Sequence, residues 1–402
     1  MKKMHLKPVL IIFLIAVIAR LLFAVSVYQP FAGRLGWANV PGEFEWEGGK
    51  SDDYAAIARN IVAGEGYKTC GKGGKLYPSL SRPPVYPFIL ALQFYLFGEE
   101  FWINAIINIL YQSLACIIIY YLSLMIFEKK NIAIISGLIW ALYPLPMLQA
   151  MGPFSESVYA LFLVSFAYFF YKFYKLKETR YLVYFSVLMT ILTLTRPISI
   201  VFPLFFLVIT IINKDFSPGN KIKQVVIFSV IFMIGIVPWT YRAYKITGEI
   251  IPLVTYKKPL NYYMLKDQDI DKAELKKGFA GTFAEEIKNP LTYLKNKSME
   301  SVRFWYHSHT KRISIINALV QIPLLALSIP GIWWARKRRY LIFPIVLTVC
   351  FFWLAYGATH AIARYSLPVI TLLCPFAAIG IINLVHTVFK TKSDFFLLRE
   401  NQ

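Results

Sequence analysis

The sequence predicts an all-α polytopic membrane protein, and two observations carry the prediction. Apolar residues make up 57% of its 402 positions and aromatic residues 17%, with a mean hydropathy of +0.53, a balance too apolar for a globule solvated by water. Those residues also fall into long runs separated by basic segments, the pattern of a chain that crosses a bilayer repeatedly. The formal charge of +21, from 43 Lys and Arg against 22 Asp and Glu, has its place in that pattern. Lysine and arginine cluster between apolar runs, where they orient the chain, so no nucleic-acid partner is expected. Cys116, Cys350 and Cys374 lie in apolar runs and Cys70 in a polar one, which implies neither a disulfide framework nor a cysteine metal site.

Residues 8–28 form the first run, interrupted only by Arg20 and preceded by Lys2, Lys3 and Lys7. It is too long for a signal-peptide core and no convincing cleavage site follows, so it is expected to remain as a span. Further spans are read at residues 102–127, 132–148, 157–174, 181–194, 198–212, 224–239, 313–334, 340–356 and 366–389, about ten in all. Segments 128–130, 172–180, 214–223 and 336–339 and the tail from Lys390 are basic, which assigns them, with both termini, to the cytoplasm. Loops 29–100, 149–156, 195–197, 240–312 and 357–365 then face outward. Residues 85–97 are apolar but only 13 long, a length that fits an interfacial or re-entrant helix. The expected organisation is an N-terminal transmembrane module over 1–240 that includes outer loop 29–100, an extracytoplasmic loop over 241–312, and C-terminal spans with a short cytoplasmic tail over 313–402. No repeat, Walker loop or dinucleotide fingerprint occurs, so an ATP-driven pump or a nucleotide-sugar enzyme has no support.

The residues with chemistry concentrate in the outward loops. Tyr54, Ile57, Ala58, Ile61 and Val62 fall at helical spacing, with Ser51 as N-cap and Gly64 and Gly66 as the stop. Asp52 and Asp53 sit in the first turn, where complementing the helix dipole is one role and chemistry another. Glu156, after Ser155 at the outer start of a later span, has the same two readings. Two acidic helix starts on one membrane face, in a chain with few intramembrane acids, make these three the candidates to converge on a cleft. Arg82, with Pro83, Pro84 and Pro87, places a guanidinium at interface height. Arg196 and Arg364 are each the only basic residue of an outward bend, fit either to hold a phosphate bidentately or to anchor against headgroups. His360 is a lone histidine near a helix end. Pro238-Trp239-Thr240-Tyr241-Arg242 closes a span and opens the largest loop, where Tyr256, Tyr262, Tyr263, Trp305 and Tyr306 offer faces for stacking on sugars or belong to an interfacial belt. His307 and His309 alternate, and Asn296-Lys297-Ser298 fits a glycan acceptor pattern.

Taken in order, several of these motifs resemble a known family. Asp52-Asp53-Tyr54, Ala58-Arg59-Asn60, Gly66-Tyr67, Arg82-Pro83-Pro84-Val85-Tyr86-Pro87, Ser155-Glu156-Ser157, Thr195-Arg196-Pro197, Pro238-Trp239 and Arg364-Tyr365-Ser366-Leu367-Pro368 look like the landmarks of the GT-C glycosyltransferases. Within these, the chain is similar to the protein O-mannosyltransferase and lipid A aminoarabinose transferase branch. The resemblance implies a GT-C-like transmembrane bundle with amphipathic juxtamembrane helices in its first outer loop. It also implies an enzyme that passes a sugar from a polyprenyl-phosphate carrier to a lipid, glycan or protein acceptor outside the cytoplasmic membrane. On that resemblance Asp53 or Asp52 takes the catalytic position and Glu156 the second acidic one. Arg82, Arg196 and Arg364 fall near the carrier phosphate, and Tyr54, Tyr86, Arg242, His360 and Tyr365 complete the candidate substrate-binding set.

The chemistry asked of such a site follows from its leaving group, a phosphate anion that needs fixed positive charge where its own charge builds up. Arginines supply that charge without a metal, while Asp53, assisted or replaced by Asp52, is placed to deprotonate an acceptor for inverting attack. A divalent metal held by Asp52, Asp53 and Glu156 is the alternative arrangement. Two rivals from other classes are a flippase for polyprenyl-linked sugars and a noncatalytic partner in envelope assembly.

Overall fold

The computed structural model describes residues 6–28, 53–70, 74–213, 215–253, 290–308, 311–358 and 361–389. Helix α1 (Leu6–Phe23) ends in a π-helical turn over Ala24–Tyr28. A short amphipathic helix α2 (Tyr54–Val62) leads into an antiparallel hairpin of β1 (Lys68–Cys70) and β2 (Leu76–Pro78), with Thr69 opposite Tyr77. Helix α3 (Val85–Phe97) coincides with the 13-residue apolar stretch read as interfacial or re-entrant, and Gly98 ends it at φ 78°.

The bundle proper begins with α4 (Phe101–Phe127), α5 (Lys130–Ala141) and the single-turn α6 (Pro144–Gln149). It continues through α7 (Glu156–Leu176), α8 (Thr179–Thr193), a 3₁₀ turn over Pro197–Val201, α9 (Phe202–Ile212) and α10 (Pro218–Thr247). Helices α11 (Pro290–Tyr306), α12 (Lys311–Trp334) and α13 (Arg339–Ala358), a 3₁₀ turn over Ala363–Ser366 and α14 (Leu367–Phe389) complete it. Six of these helices are long and apolar enough to cross a membrane, and five apolar helices are shorter.

Three details depart from the sequence reading, each for a local reason. The stretch expected as one span over 132–148 is two helices, because Pro144 and Pro146 lack the N–H groups that would extend α5. The span expected to close at Trp239 runs on to Thr247 with Pro238 inside it, so Arg242 rides on the helix rather than in a loop. The hairpin was not expected, since three-residue strands leave no periodic signal.

Lipid offers no hydrophobic drive for helix association, so packing has to supply it. Helices α12 and α14 approach at reciprocal glycines. A Cβ on Gly331 would strike the Phe376 carbonyl, and one on Gly380 the Leu327 carbonyl. Around α7 the contact is aromatic instead. Phe170, Phe173, Phe206 and Phe228 all close on Phe185 at centroid distances of 5.2 to 6.3 Å, in tilted and edge-to-face arrangements that aromatic quadrupoles favour.

Candidate functional site

Glu156 opens α7, and its carboxylate is 3% exposed. Its Oε1 lies 2.5 Å from Arg196 Nη2 and 3.0 Å from Arg364 Nε, both ion pairs off hydrogen-bond angle. Arg196 Nε also donates to Ser155 Oγ at 3.0 Å. One carboxylate thus faces two guanidinium groups. Burial works against the Arg196 charge, but Glu156 outweighs it and holds the group well above the usual arginine value. The two cations are bedded on rings: Arg196 over Tyr159 and Tyr365 at 5.4 and 5.6 Å, and Arg364 over Phe154 at 4.7 Å. Tyr365 stacks on Tyr356 at 4.6 Å. Arg196 Nη1 has no hydrogen-bond partner among the described residues, although Tyr356 approaches the same guanidinium.

The opposite wall is the segment from Asp53 to Pro87. Asp53 is the N-cap residue of α2, one position earlier than the first turn expected for it, and its side chain makes no capping bond. Capping therefore does not account for this carboxylate. It accepts instead from Ser81 Oγ at 3.3 Å, and Ser81 Oγ lies 3.1 Å from Ser79 Oγ. Arg82 lies over the Tyr54 ring at 4.9 Å, and Tyr54 meets Tyr86 edge-on at 5.0 Å. Tyr67 directs its hydroxyl at the carbonyls of Arg82 and Pro83, 3.0 Å from each. Burial pushes that phenol up, so it stays a neutral donor.

Contacts tie the two walls together. The Val85 N–H donates to the Leu194 carbonyl at 3.0 Å, joining the start of α3 to the end of α8. Tyr54, Tyr86 and Val158 share one buried cluster, and Tyr54 acts electrostatically on Arg196. The structure therefore brings together Asp53, Tyr54, Arg82, Tyr86, Glu156, Arg196, Arg364 and Tyr365. Arg242 sits apart in its function, with Nη1 on the Ser79 carbonyl at 2.9 Å and Nη2 on the Tyr67 carbonyl at 3.0 Å. It lies over Tyr67 and Trp239 and clamps the hairpin to α10. Asp52, His360, His309, Tyr256, Tyr262 and Tyr263, with the Ser51 cap, lie outside the described residues.

Glu156 does not suit the metal-assisted arrangement. The two guanidinium groups on its Oε1 would repel a cation, and among the described residues no three His, Cys, Asp or Glu side chains gather as ligands. Sequence reasoning named no role for Ser81, Ser155 or Arg20. Single hydroxyls give no pattern, whereas Arg20 had a signal, being the lone charge of an apolar run.

Against known proteins, residues 81–241 match the family model described as dolichyl-phosphate-mannose-protein mannosyltransferase. No curated protein matches by sequence. Among solved structures, the apo oligosaccharyltransferase of Archaeoglobus fulgidus aligns at TM-score 0.59 and 13% identity, over 100% of this chain and 53% of that one. Apo ArnT from Cupriavidus metallidurans aligns at 0.58 and 16%, over 93% and 61%. The same ArnT bound to undecaprenyl phosphate aligns at 0.57 and 14%, over 89% and 60%. The chain thus spans between 53% and 61% of the length of these proteins. With six helices among the described residues long and apolar enough to cross a membrane, the chain shares the transmembrane fold of these proteins, the all-α membrane bundle expected from its ordered motifs.

Proposed function

We propose that the chain is an inverting membrane glycosyltransferase that takes a sugar from a polyprenyl-phosphate donor, at the outer face of the membrane. The observation that carries this reading is the buried cluster of Glu156, Arg196 and Arg364. It sets two guanidinium groups against one carboxylate and beds both on aromatic rings. Guanidinium groups gathered in this way suit an anion, and a phosphate matches the fork of an arginine. ArnT of similar fold is known with undecaprenyl phosphate bound, which supports the same ligand class here.

An apolar groove lined by Phe166, Phe170, Phe202, Phe205 and Leu347 runs between α7, α9 and α13. Phe202, on the wall of that groove, meets Phe352, whose ring meets Tyr159 under Arg196, so the groove lies on the same aromatic stack as the arginines and is the proposed seat of part of the prenyl chain. Asp53 removes the acceptor proton while the acceptor oxygen attacks the anomeric carbon. The bond from that carbon to the phosphate oxygen breaks, its electron pair leaves with the polyprenyl phosphate, and Arg196 and Arg364 hold the new charge. Asp52 is the alternative base.

The test is transfer by purified protein in liposomes from a radiolabelled polyprenyl-phosphate sugar. The expected result is free polyprenyl phosphate from the wild type, and a loss of at least about 100-fold in Asp53→Asn or Asp52→Asn. Full activity in both variants at normal expression removes the base assignment. Labelled donor moved across the bilayer unchanged identifies a flippase instead.

A further inference from the structure

Arg20 is fully buried in α1, and no carboxylate pairs with it among the described residues. It donates Nη2 to the Trp140 carbonyl at 2.8 Å and Nη1 to the Ala141 and Ala16 carbonyls at 2.8 and 3.1 Å. The first two lie at the end of α5, where Pro144 removes the N–H that would close the next helical bond onto Trp140 and leaves its carbonyl only a long turn bond from the Tyr143 N–H at 3.4 Å. The third nitrogen, Nε, donates to Gln112 Oε1 at 2.9 Å. That bond fixes which end of the Gln112 amide faces Arg20, and so turns its NH₂ the other way. Gln112 Nε2 then donates to the Pro146 carbonyl at 2.6 Å and to Ser157 Oγ at 3.0 Å.

Ser157 follows Glu156 directly, and Ser155, which receives Arg196, precedes it. One turn earlier on α4, Asn108 Nδ2 donates to the carbonyls of Ala150 and Gly152 at 3.2 and 3.0 Å. All these groups are buried. The polar pair Asn108 and Gln112 is therefore a ladder, spaced i and i+4 on one face of α4, that grips the chain from residue 146 to the first turn of α7.

From this geometry we infer that Gln112, oriented by Arg20, is a positioning residue that sets the helix start carrying Glu156, and with it the two arginines of the phosphate site. The inference rests on the proposed function only for the identity of the ligand. Gln112 joins the start of α7 at Ser157 to the α6 turn at Pro146 through one amide group. A bound phosphate needs Arg196 and Arg364 placed to within fractions of an ångström, and both take their bearing from Glu156.

The test compares wild-type protein in nanodiscs with Ser157→Ala, Gln112→Glu and the double variant. Gln112→Glu keeps an acceptor for Arg20 but presents an oxygen to the Pro146 carbonyl, and Ser157→Ala removes the other link without disturbing Arg20. Three quantities are read: melting temperature, affinity for a polyprenyl monophosphate, and amide exchange in residues 156–160. The expected result for the double variant is a melting temperature within about 5 °C of wild type, with exchange in the first turn of α7 raised about 10-fold and affinity lowered at least about five-fold. An affinity loss below five-fold in the folded double variant overturns the inference. Should the double variant not fold, Ser157→Ala alone decides at a three-fold threshold. Wild-type protein that binds no polyprenyl phosphate counts against the proposed ligand instead, and the exchange data then decide alone whether Gln112 pins the helix start.

Discussion

Glu156 stands at the residue where two explanations for an acidic helix start meet, and its partners separate them. A first-turn acid serving the helix dipole would be solvated or bonded to its own backbone. This one is buried and faces Arg196 and Arg364. Removing the charge would strand two guanidinium groups without it, so Glu156→Gln is expected to destabilise the protein by about 3–5 kcal/mol, the range for one broken partner of a buried ion cluster. The measurement is thermal unfolding in detergent. A variant that melts like wild type and loses only turnover would make Glu156 an acid or base rather than an organiser. The same logic predicts the opposite for Asp53. Its carboxylate makes no capping bond and accepts from Ser81, a bond that an amide oxygen can keep, so Asp53→Asn is expected to fold normally and lose activity. The sequence singled out both acids because few acids stand at its apolar runs. The partners of Glu156 could not be read there, since its arginines lie 40 and 208 residues away along the chain.

Among the elements, legibility followed how local the cause was. The bounds of α3 are those of the apolar stretch between Pro84 and Gly98, because both ends are punctuated by residues that act through their own backbone. The break between α5 and α6 was missed, although Pro144 marks it, because hydropathy alone runs through it. Arg20 completes the break from another helix, which no window of sequence can show. The close crossing of α12 and α14 lies in the same class. Gly331 and Gly380 look like ordinary glycines of apolar spans, yet each lies against a backbone carbonyl of the facing helix. A methyl group at either position meets backbone that cannot swing aside, so Gly331→Ala and Gly380→Ala are each expected to cost about 1–3 kcal/mol. Gly219, with open space around its Cβ position, supplies the control: Gly219→Ala is expected to melt within about 2 °C of wild type. Equal melting of all three variants would show that the helices do not meet at those glycines.

For the whole molecule, the question is which end of the bundle faces out. Helix α7 has 21 residues, so at 1.5 Å per residue it is roughly 30 Å long, a bilayer core apart at its two ends. Glu156 marks one end. At the other, Lys175 pairs with Glu128 at 2.9 Å and Lys177 with Asp215 at 3.9 Å, joining the turns that the basic-loop rule assigns to the cytoplasm. The hairpin belongs to the Glu156 end, since Ser79, which follows it, is hydrogen-bonded to Ser81 beside Asp53. The hairpin also carries Cys70, which is exposed, whereas Cys116 and Cys374 are buried. A membrane-impermeant maleimide added to intact cells is therefore expected to label the wild type and not Cys70→Ser, while Lys177→Cys in the Cys70→Ser background labels only once the membrane is opened. The reverse pattern would turn the bundle over and place Asp53 and the arginine cluster on the cytoplasmic side. The donor's phosphate would then have to be met before its sugar crossed the membrane, and the acceptor would have to be a cytoplasmic one. The labelling result thus decides the side of the reaction independently of whether any sugar is transferred.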